Sequence, residues 1–242
     1  SSVDNWIKNN STELKDIEIY YSSENIIKTS IDISLLIGTS NVVDKEKLKE
    51  WQPQYKNTPF LSNDEYVVKR EVEKMSKSKY NVVNPDDICN DYGADTLRLY
   101  EMFLGPLEQA KPWNTAGITG VSGFLKKLWR LYFDDNGLIV TNDEPTPEMY
   151  KSLHKTIKKV GDDYENLSFN TAISAMMIFL NELYSHNLRP KAAIKILLQL
   201  MAPIAPHISE ELWSRLGEPG LVSTAPWPQF DPAKVKDDVV TM

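Results

Sequence analysis

The sequence predicts an α+β protein, with a small α/β amino-terminal segment and a basic loop region followed by an antiparallel α-helical bundle. Three observations carry this. Polar residues separate Ile17, Ile19 and Tyr21, and Asp32 separates Ile31 from Ile33, which is the period of half-buried strands. From residue 118 onward apolar residues instead recur at spacings of three and four, the period of a helix face. Cap residues, prolines and glycines stand where those helical stretches begin and end. With 242 residues, 41% apolar and 25% charged, the chain has the composition of a folded globular protein and room for one large domain or two smaller ones.

Taken in order, residues 44–51 are charged and permit a helix, with Asp44 as cap and Pro53 after its end. Tyr66-Val67-Val68 reads as a strand leading into a lysine-rich loop. Asn84-Pro85-Asp86-Asp87 then supplies a cap, a first-turn proline and two acids where the helix dipole favours them. Gly93 stops that helix, 94–104 forms another, and Gly105-Pro106 ends it. Ile118, Val121, Leu125, Leu128 and Tyr132 make one apolar stripe, with Lys126, Lys127 and Arg130 off it. The next helix, about 146–166, repeats the design: Leu153, Ile157, Val160, Tyr164 and Leu167 on one face, Lys151, Lys155, Lys158 and Lys159 on another. A helix capped by Asn170 and running to Tyr184 is apolar nearly all round and is expected to sit centrally. Pro190 opens one further helix and Pro206 precedes the last.

Composition excludes several function classes. No stretch reaches the roughly 18–20 apolar residues of a membrane span and no apolar signal segment opens the chain, so a cytoplasmic protein without membrane contact is expected. The lone Cys89 forms no internal disulfide or multi-cysteine metal site, and no metal site is expected. Net charge is −7, from 27 basic and 34 acidic residues, which argues against general coating of nucleic acid. Charge is sorted by segment, however. Residues 117–131 carry three bases and no acid, and 151–160 carry four lysines and no acid. Paired acids such as Asp86-Asp87, Asp134-Asp135 and Glu210-Glu211 read as helix termini or solvated turns.

One segment asks for chemistry. Lys74-Met75-Ser76-Lys77-Ser78-Lys79 puts three ammonium groups and two hydroxyls on a short loop, the donor set a polyphosphate requires. Taken alone it is equally a solvated basic loop. Lys74 to Ser78 spells KMSKS, and with this motif the chain resembles the class I aminoacyl-tRNA synthetases, the leucyl enzymes in particular. The resemblance runs in order over 69–230 through Asn81, Asn84-Pro85, Tyr92-Gly93-Ala94-Asp95-Thr96-Leu97-Arg98, Trp113, Phe124 to Trp129, Phe169 to Ala172, Ala205 to Ile208 and Ala225 to Pro228. Residues 1–68 are similar only loosely to the leucine-specific insertion of bacterial leucyl enzymes.

The resemblance implies four segments: 1–68 insertion-like, 69–112 KMSKS loop and stem-contact region, 113–230 helical anticodon-binding-type domain, and 231–242 the truncated start of a further domain with poorly ordered last residues. It implies ATP, with magnesium as counterion, as a substrate rather than a structural cofactor. Lys77 and Lys74 would be the catalytic phosphate contacts. Met75, Ser76 and Ser78 would complete the ATP-binding loop, Met75 as an apolar anchor. Leucine tRNA would be the macromolecular partner, gripped by Lys126, Lys127, Arg130, Lys151, Lys155, Lys158 and Lys159, each of which also reads as an ordinary solvated lysine or arginine. Trp113 and Trp129 would stack on RNA or pack in the core, Arg98 would brace the region behind the loop, and His207 would start a helix or lie buried.

The family's HIGH-type motif is absent, since His154, His186 and His207 stand isolated. Both chain ends look cut. The expected object is therefore a monomeric carboxy-terminal portion of the synthetase, in which leucine and ATP engage a missing catalytic domain and which is inactive alone. The alternatives are a noncatalytic RNA-binding helical module, or the equivalent part of a valyl, isoleucyl or methionyl enzyme.

Overall fold

A computed structural model describes residues 29–38, 40–57, 65–69, 71–186 and 189–235. The strand expected at 17–21 and the chain end after 235 lie outside them. The chain divides into two compact units, Ser1–Val83 and Asn84–Met242, so the boundary falls within the 69–112 stretch.

In the first unit the period-two pattern at 31–33 does not produce a strand. Asp32 accepts a hydrogen bond from the Ser34 backbone N–H at 2.8 Å, and this local bond turns Ile33–Leu35 into a 3-10 helix. Asp and Ser compete with the ladder in this way wherever their side chains reach the backbone. Extended pairing survives as single antiparallel bridges, Leu36 with Val43 and Val42 with Val67. Helix α1, Lys45–Trp51, starts where expected, with the Asp44 carboxylate accepting from Glu46 and Lys47. Leu35, Leu36, Val43 and Leu48 form a small core, covered by Ile31, Trp51, Tyr55 and Val68.

The second unit is helical with one small sheet. Asn84 caps α2, Pro85–Tyr92, and Gly93 ends it at φ 90°, a conformation that favours glycine. Then come α3, Ala94–Phe103, and α4, Ile118–Tyr132. The hairpin of β1, Phe133–Asp134, and β2, Gly137–Leu138, pairs Phe133 with Leu138. Thr146 caps α5, Pro147–Glu165, by accepting from Met149 N–H at 3.2 Å. Helix α6, Phe169–Ser185, is followed by α7, Lys191–Met201, α8, Pro206–Arg215, and the short α9, Pro232–Val235.

The apolar α6 packs against α3, α4, α5 and α7, and Ala172, Ile173, Met176, Phe179, Leu180 and Leu183 are fully buried. A helix with this composition reaches a low free energy only when neighbours cover it on several sides. Tyr132 anchors α4 to α7, its buried hydroxyl donating to the Ile194 carbonyl at 2.9 Å. Two expectations change at the α5–α6 turn. Asn170 lies inside α6 and does not cap it; the helix starts at Phe169 after Ser168, without a side-chain cap. Thr171 instead donates to the buried Asp163 carboxylate at 2.7 Å and locks the first turn of α6 onto α5. Leu167 leaves the α5 stripe altogether, at φ 56° and 59% exposed, because the helix has already ended at Glu165.

Candidate functional site

The basic loop is shaped by short-range bonds. Ser76 N–H donates to Asn81 Oδ1 at 2.7 Å, and Asn81 Nδ2 donates to the Lys74 carbonyl at 3.3 Å. The asparagine side chain thus spans the motif like a second strand. Ser76 and Ser78 hydroxyls meet at 2.9 Å, and Lys77–Lys79 forms one 3-10 turn ending at Tyr80 in the left-handed region, φ 54°. Tyr80 is the fixed end. Its ring meets Trp51 edge-on at 4.7 Å and its hydroxyl accepts from Gln52 Nε2 at 2.7 Å.

Of the three lysines, Lys79 pairs with Glu73. Lys74 and Lys77 are exposed and have no ion-pair partner among the described residues. The motif's two cations are therefore presented while the lysine outside it is neutralised. Met75 is 44% exposed and does not act as the expected apolar anchor within this unit; Tyr80 on Trp51 takes that role. Asn81 lay in the sequence pattern, but its bridging role needed the backbone turn to be seen. The Trp51–Tyr80 contact joins residues far apart in sequence and carried no local signal.

The basic residues of the second unit fall into two groups. On α4, Lys126 is exposed without a partner among the described residues, and Arg130 is exposed. Lys127 bonds Asn181 Oδ1, and its ammonium lies 4.6 Å from the Tyr184 ring centroid. Arg189, which sequence reasoning passed over, stands 4.8 Å from the same centroid. Burial raises the Tyr184 hydroxyl's pKa, and the charges of Arg189 and Arg130 oppose that shift. Tyr184 thus gathers a cationic patch from α4 and from Arg189 just before α7. On α5, Lys158 pairs with Asp162 and Lys159 with Asp163, each four residues on, the spacing at which helical side chains meet. Lys151 is half-buried and Lys155 exposed. The acid-free stretch 151–160 is therefore partly neutralised by the next turn of its own helix.

Asp95 and His207, 112 residues apart, are joined. The buried Asp95 carboxylate accepts from His207 N–H at 3.3 Å, His207 Nδ1 at 2.8 Å and Ile208 N–H at 2.7 Å. It caps α8 from α3, which satisfies backbone donors that Pro206 and Ala205 cannot. His207 does start a helix, but its side chain is 74% exposed. Arg98, one turn beyond Asp95, donates to the carbonyls of Ile204 and Pro203 at 2.8 and 3.0 Å. It braces the α7–α8 turn. Trp113 meets Tyr100 edge-on at 5.2 Å and donates to Thr115 Oγ1, a packing role. Trp129 is half-buried and stacks on Phe133 at 5.1 Å. Among the described residues no cluster of acids, histidines or cysteines is placed to hold a metal ion, and no helix is long and apolar enough to cross a membrane.

Residues 1–113 match the family described as tRNA synthetases class I (I, L, M and V). Residues 147–241 match the family described as the anticodon-binding domain of tRNA ligase. The chain is 63% identical over 201 residues to the leucine–tRNA ligase of Flavobacterium psychrophilum, covering 82% of this chain and 21% of that one. It is 59% identical over 210 residues to the leucine–tRNA ligase of Flavobacterium johnsoniae, covering 86% of this chain and 22% of the relative. The chain thus spans about a fifth of the length of these relatives. A crystal structure of a ternary complex of an Agrobacterium radiobacter LeuRS with tRNA and LeuAMS is similar at a TM-score of 0.59 and 30% identity, over 67% of this chain and 23% of that one.

Proposed function

Since the chain belongs to the leucine–tRNA ligase family of class I synthetases, we propose that it supplies that enzyme's mobile ATP-phosphate loop and part of its tRNA grip. The observation that carries this is the loop itself: Lys74 and Lys77 stand exposed and unneutralised on a turn shaped by Asn81 and the Ser76–Ser78 pair. In leucine activation the amino-acid carboxylate attacks the α-phosphorus of magnesium-bound ATP and pyrophosphate leaves. Negative charge grows on the leaving group, and ammonium groups held ready for it lower the barrier. Lys77 is assigned the first phosphate contact and Lys74 the second. Met75, exposed in the open loop, is free to pack when the loop closes over nucleotide.

The segments are assigned as 1–68 insertion-like, 69–112 loop and stem-contact region, and from 113 onward the antiparallel helical tRNA-binding bundle. Leucine tRNA is held through phosphates, contacts that position without reading sequence. Lys126, Lys127, Arg130 and Lys151, Lys155, Lys158, Lys159 are the assigned contacts, with Arg189 added by its place beside Tyr184. The active protein is assigned to the cytoplasm as a monomer.

The test is ATP–pyrophosphate exchange by the full-length enzyme carrying Lys77→Ala. A loss of roughly 10²–10³ in kcat, about 3–4 kcal/mol, is expected with the leucine KM little changed. Wild-type exchange by that variant would remove Lys77 from the chemistry. The 242-residue chain alone, which has no HIGH-type motif in its sequence, is expected to show no exchange.

A further inference from the structure

Where α3 begins, beside the middle of α4 and the first turn of α8, lies an open cleft of about 360 Å³, within the size range of ligand sites. Leu125 and Trp129, four apart on α4, line it together with Tyr92, Gly93, Ala94 and Ile208, and the Arg215 guanidinium lies 5.3 Å from the Trp129 ring centroid. His207 and Glu211, one turn apart on α8, supply its polar edge. Asp95 engages His207 Nδ1 at 2.8 Å, and Nε2 is the ring nitrogen outside that contact. Glu211 gives Oε1 to Arg215 Nε and keeps its second oxygen.

The surroundings are charged the other way. Lys126 is three residues from Trp129 on the same helix, and such residues are surface neighbours. Arg130 lies one turn beyond Lys126. Lys126 has no partner among the described residues, and Arg130 has no hydrogen bond or ion pair among them. An apolar slot with a carboxylate oxygen of Glu211 at its edge, and with Lys126 and Arg130 on the adjoining surface of α4, is complementary to a flat ring bearing an N–H₂ group on a phosphate backbone.

We propose that this cleft receives an unstacked, amine-bearing base of an RNA whose phosphates Lys126 and Arg130 hold. The inference rests on the proposed RNA grip of the helical unit and adds to it a site that recognises a base. The rival occupant is a protein segment from the remaining four-fifths of the relatives' length.

The test titrates the 242-residue chain against labelled hexa-adenylate and against the same oligomer with abasic riboses, at two salt concentrations. Hexa-adenylate should bind at least about tenfold more tightly, since one stacked base contributes roughly 1–3 kcal/mol. Trp129→Ala should abolish that preference while leaving abasic affinity unchanged. Ala94→Leu, which keeps Trp129 and fills the cleft mouth, should do the same and guards against misfolding of the first variant. Lys126→Gln with Arg130→Gln should weaken both oligomers alike and flatten the salt dependence by roughly 0.7 per phosphate contact. Equal binding of the two oligomers, or a preference that survives both cleft variants, overturns the base site while leaving the RNA grip standing. Equal binding together with a large loss of stability in Trp129→Ala points to the protein occupant. Binding of neither oligomer overturns the grip and the base site together.

Discussion

Replacing Asp95 by alanine tests whether a single carboxylate on α3 holds the start of α8. Three donors converge on it: Ile208 N–H at 2.7 Å, His207 N–H at 3.3 Å and the His207 ring at 2.8 Å. Losing a helix cap costs about 1 kcal/mol and up to about 2. The Ile208 bond is short, lies against a carboxylate that is 8% exposed, and is of the charged kind that contributes about 1.5–3 kcal/mol. The imidazole bond adds little, because that ring is 74% exposed and water competes for it. The expected loss is therefore about 2–3 kcal/mol, with Asp95→Asn near half of that because one acceptor oxygen remains. For a chain of this size each kcal/mol moves the melting temperature by roughly 2–4 °C, so the helical circular-dichroism melt of Asp95→Ala should fall by about 4–12 °C. His207→Ala separates cap from ion pair: it keeps both backbone donors and should cost under about 0.5 kcal/mol. A loss in His207→Ala equal to that in Asp95→Ala would refute the reasoning, because the side-chain pair would then carry the energy.

Tyr132→Phe removes the hydroxyl that donates to Ile194 in a fully buried setting; a loss of about 1–2 kcal/mol is expected by urea titration, since the carbonyl keeps its intrahelical bond. His154 accepts from Asp231 N–H at 3.0 Å, and burial first, then the Lys234 charge, hold its pKa below the usual 6.5, with Asp231 opposing. Its neutral form is thus favoured by folding. That contribution is complete above the unfolded value and is lost as pH falls below 6.5 toward the folded one, so the melting temperature of wild type should fall over that window more than that of His154→Gln. Leu167→Gly relieves a left-handed leucine, 59% exposed, at the end of α5; relief of roughly 1–2 kcal/mol of steric cost against about 0.5–1 of glycine entropy predicts a small net gain in melting temperature.

The parts of the fold that were legible in the sequence are those fixed by neighbours in the chain. Asp44, Asn84 and Thr146 each cap the helix that follows them, because the bond closes within three residues. The centrality of α6 was legible because its composition leaves no face for water. The stretch at 31–33 was misread because one Asp32 bond outcompeted an alternation only three residues long. Leu167 was misread because a stripe carries no mark of where a helix stops. The cap from Asp95 to α8 had no local signal at all, since 112 residues separate donor and acceptor. Charge was legible as composition but not as availability: Lys158 and Lys159 look free until Asp162 and Asp163 are placed one turn away.

That distinction decides how the loop is to be understood. A motif lysine is useful to a phosphate only if nothing on the protein neutralises it first, and a charge-assisted bond to a nearby acid would have to be broken at the moment of binding. Here the acid nearest the motif, Glu73, is taken by Lys79, which lies just outside KMSKS. The loop's shape meanwhile depends on neutral donors and acceptors, Asn81 and the two serines, so form and charge are held by different residues. Replacing Lys79 by glutamine therefore has a definite consequence. It frees Glu73 to pair with Lys77 or Lys74 without altering the Asn81 bridge. In the full-length enzyme that change should raise the ATP KM more than it lowers kcat, because the new ion pair competes with nucleotide binding and is broken before the transition state is reached. Adding Glu73→Gln should restore the KM. If the double variant is as impaired as the single one, Lys79 acts on ATP directly and does not work by sequestering Glu73.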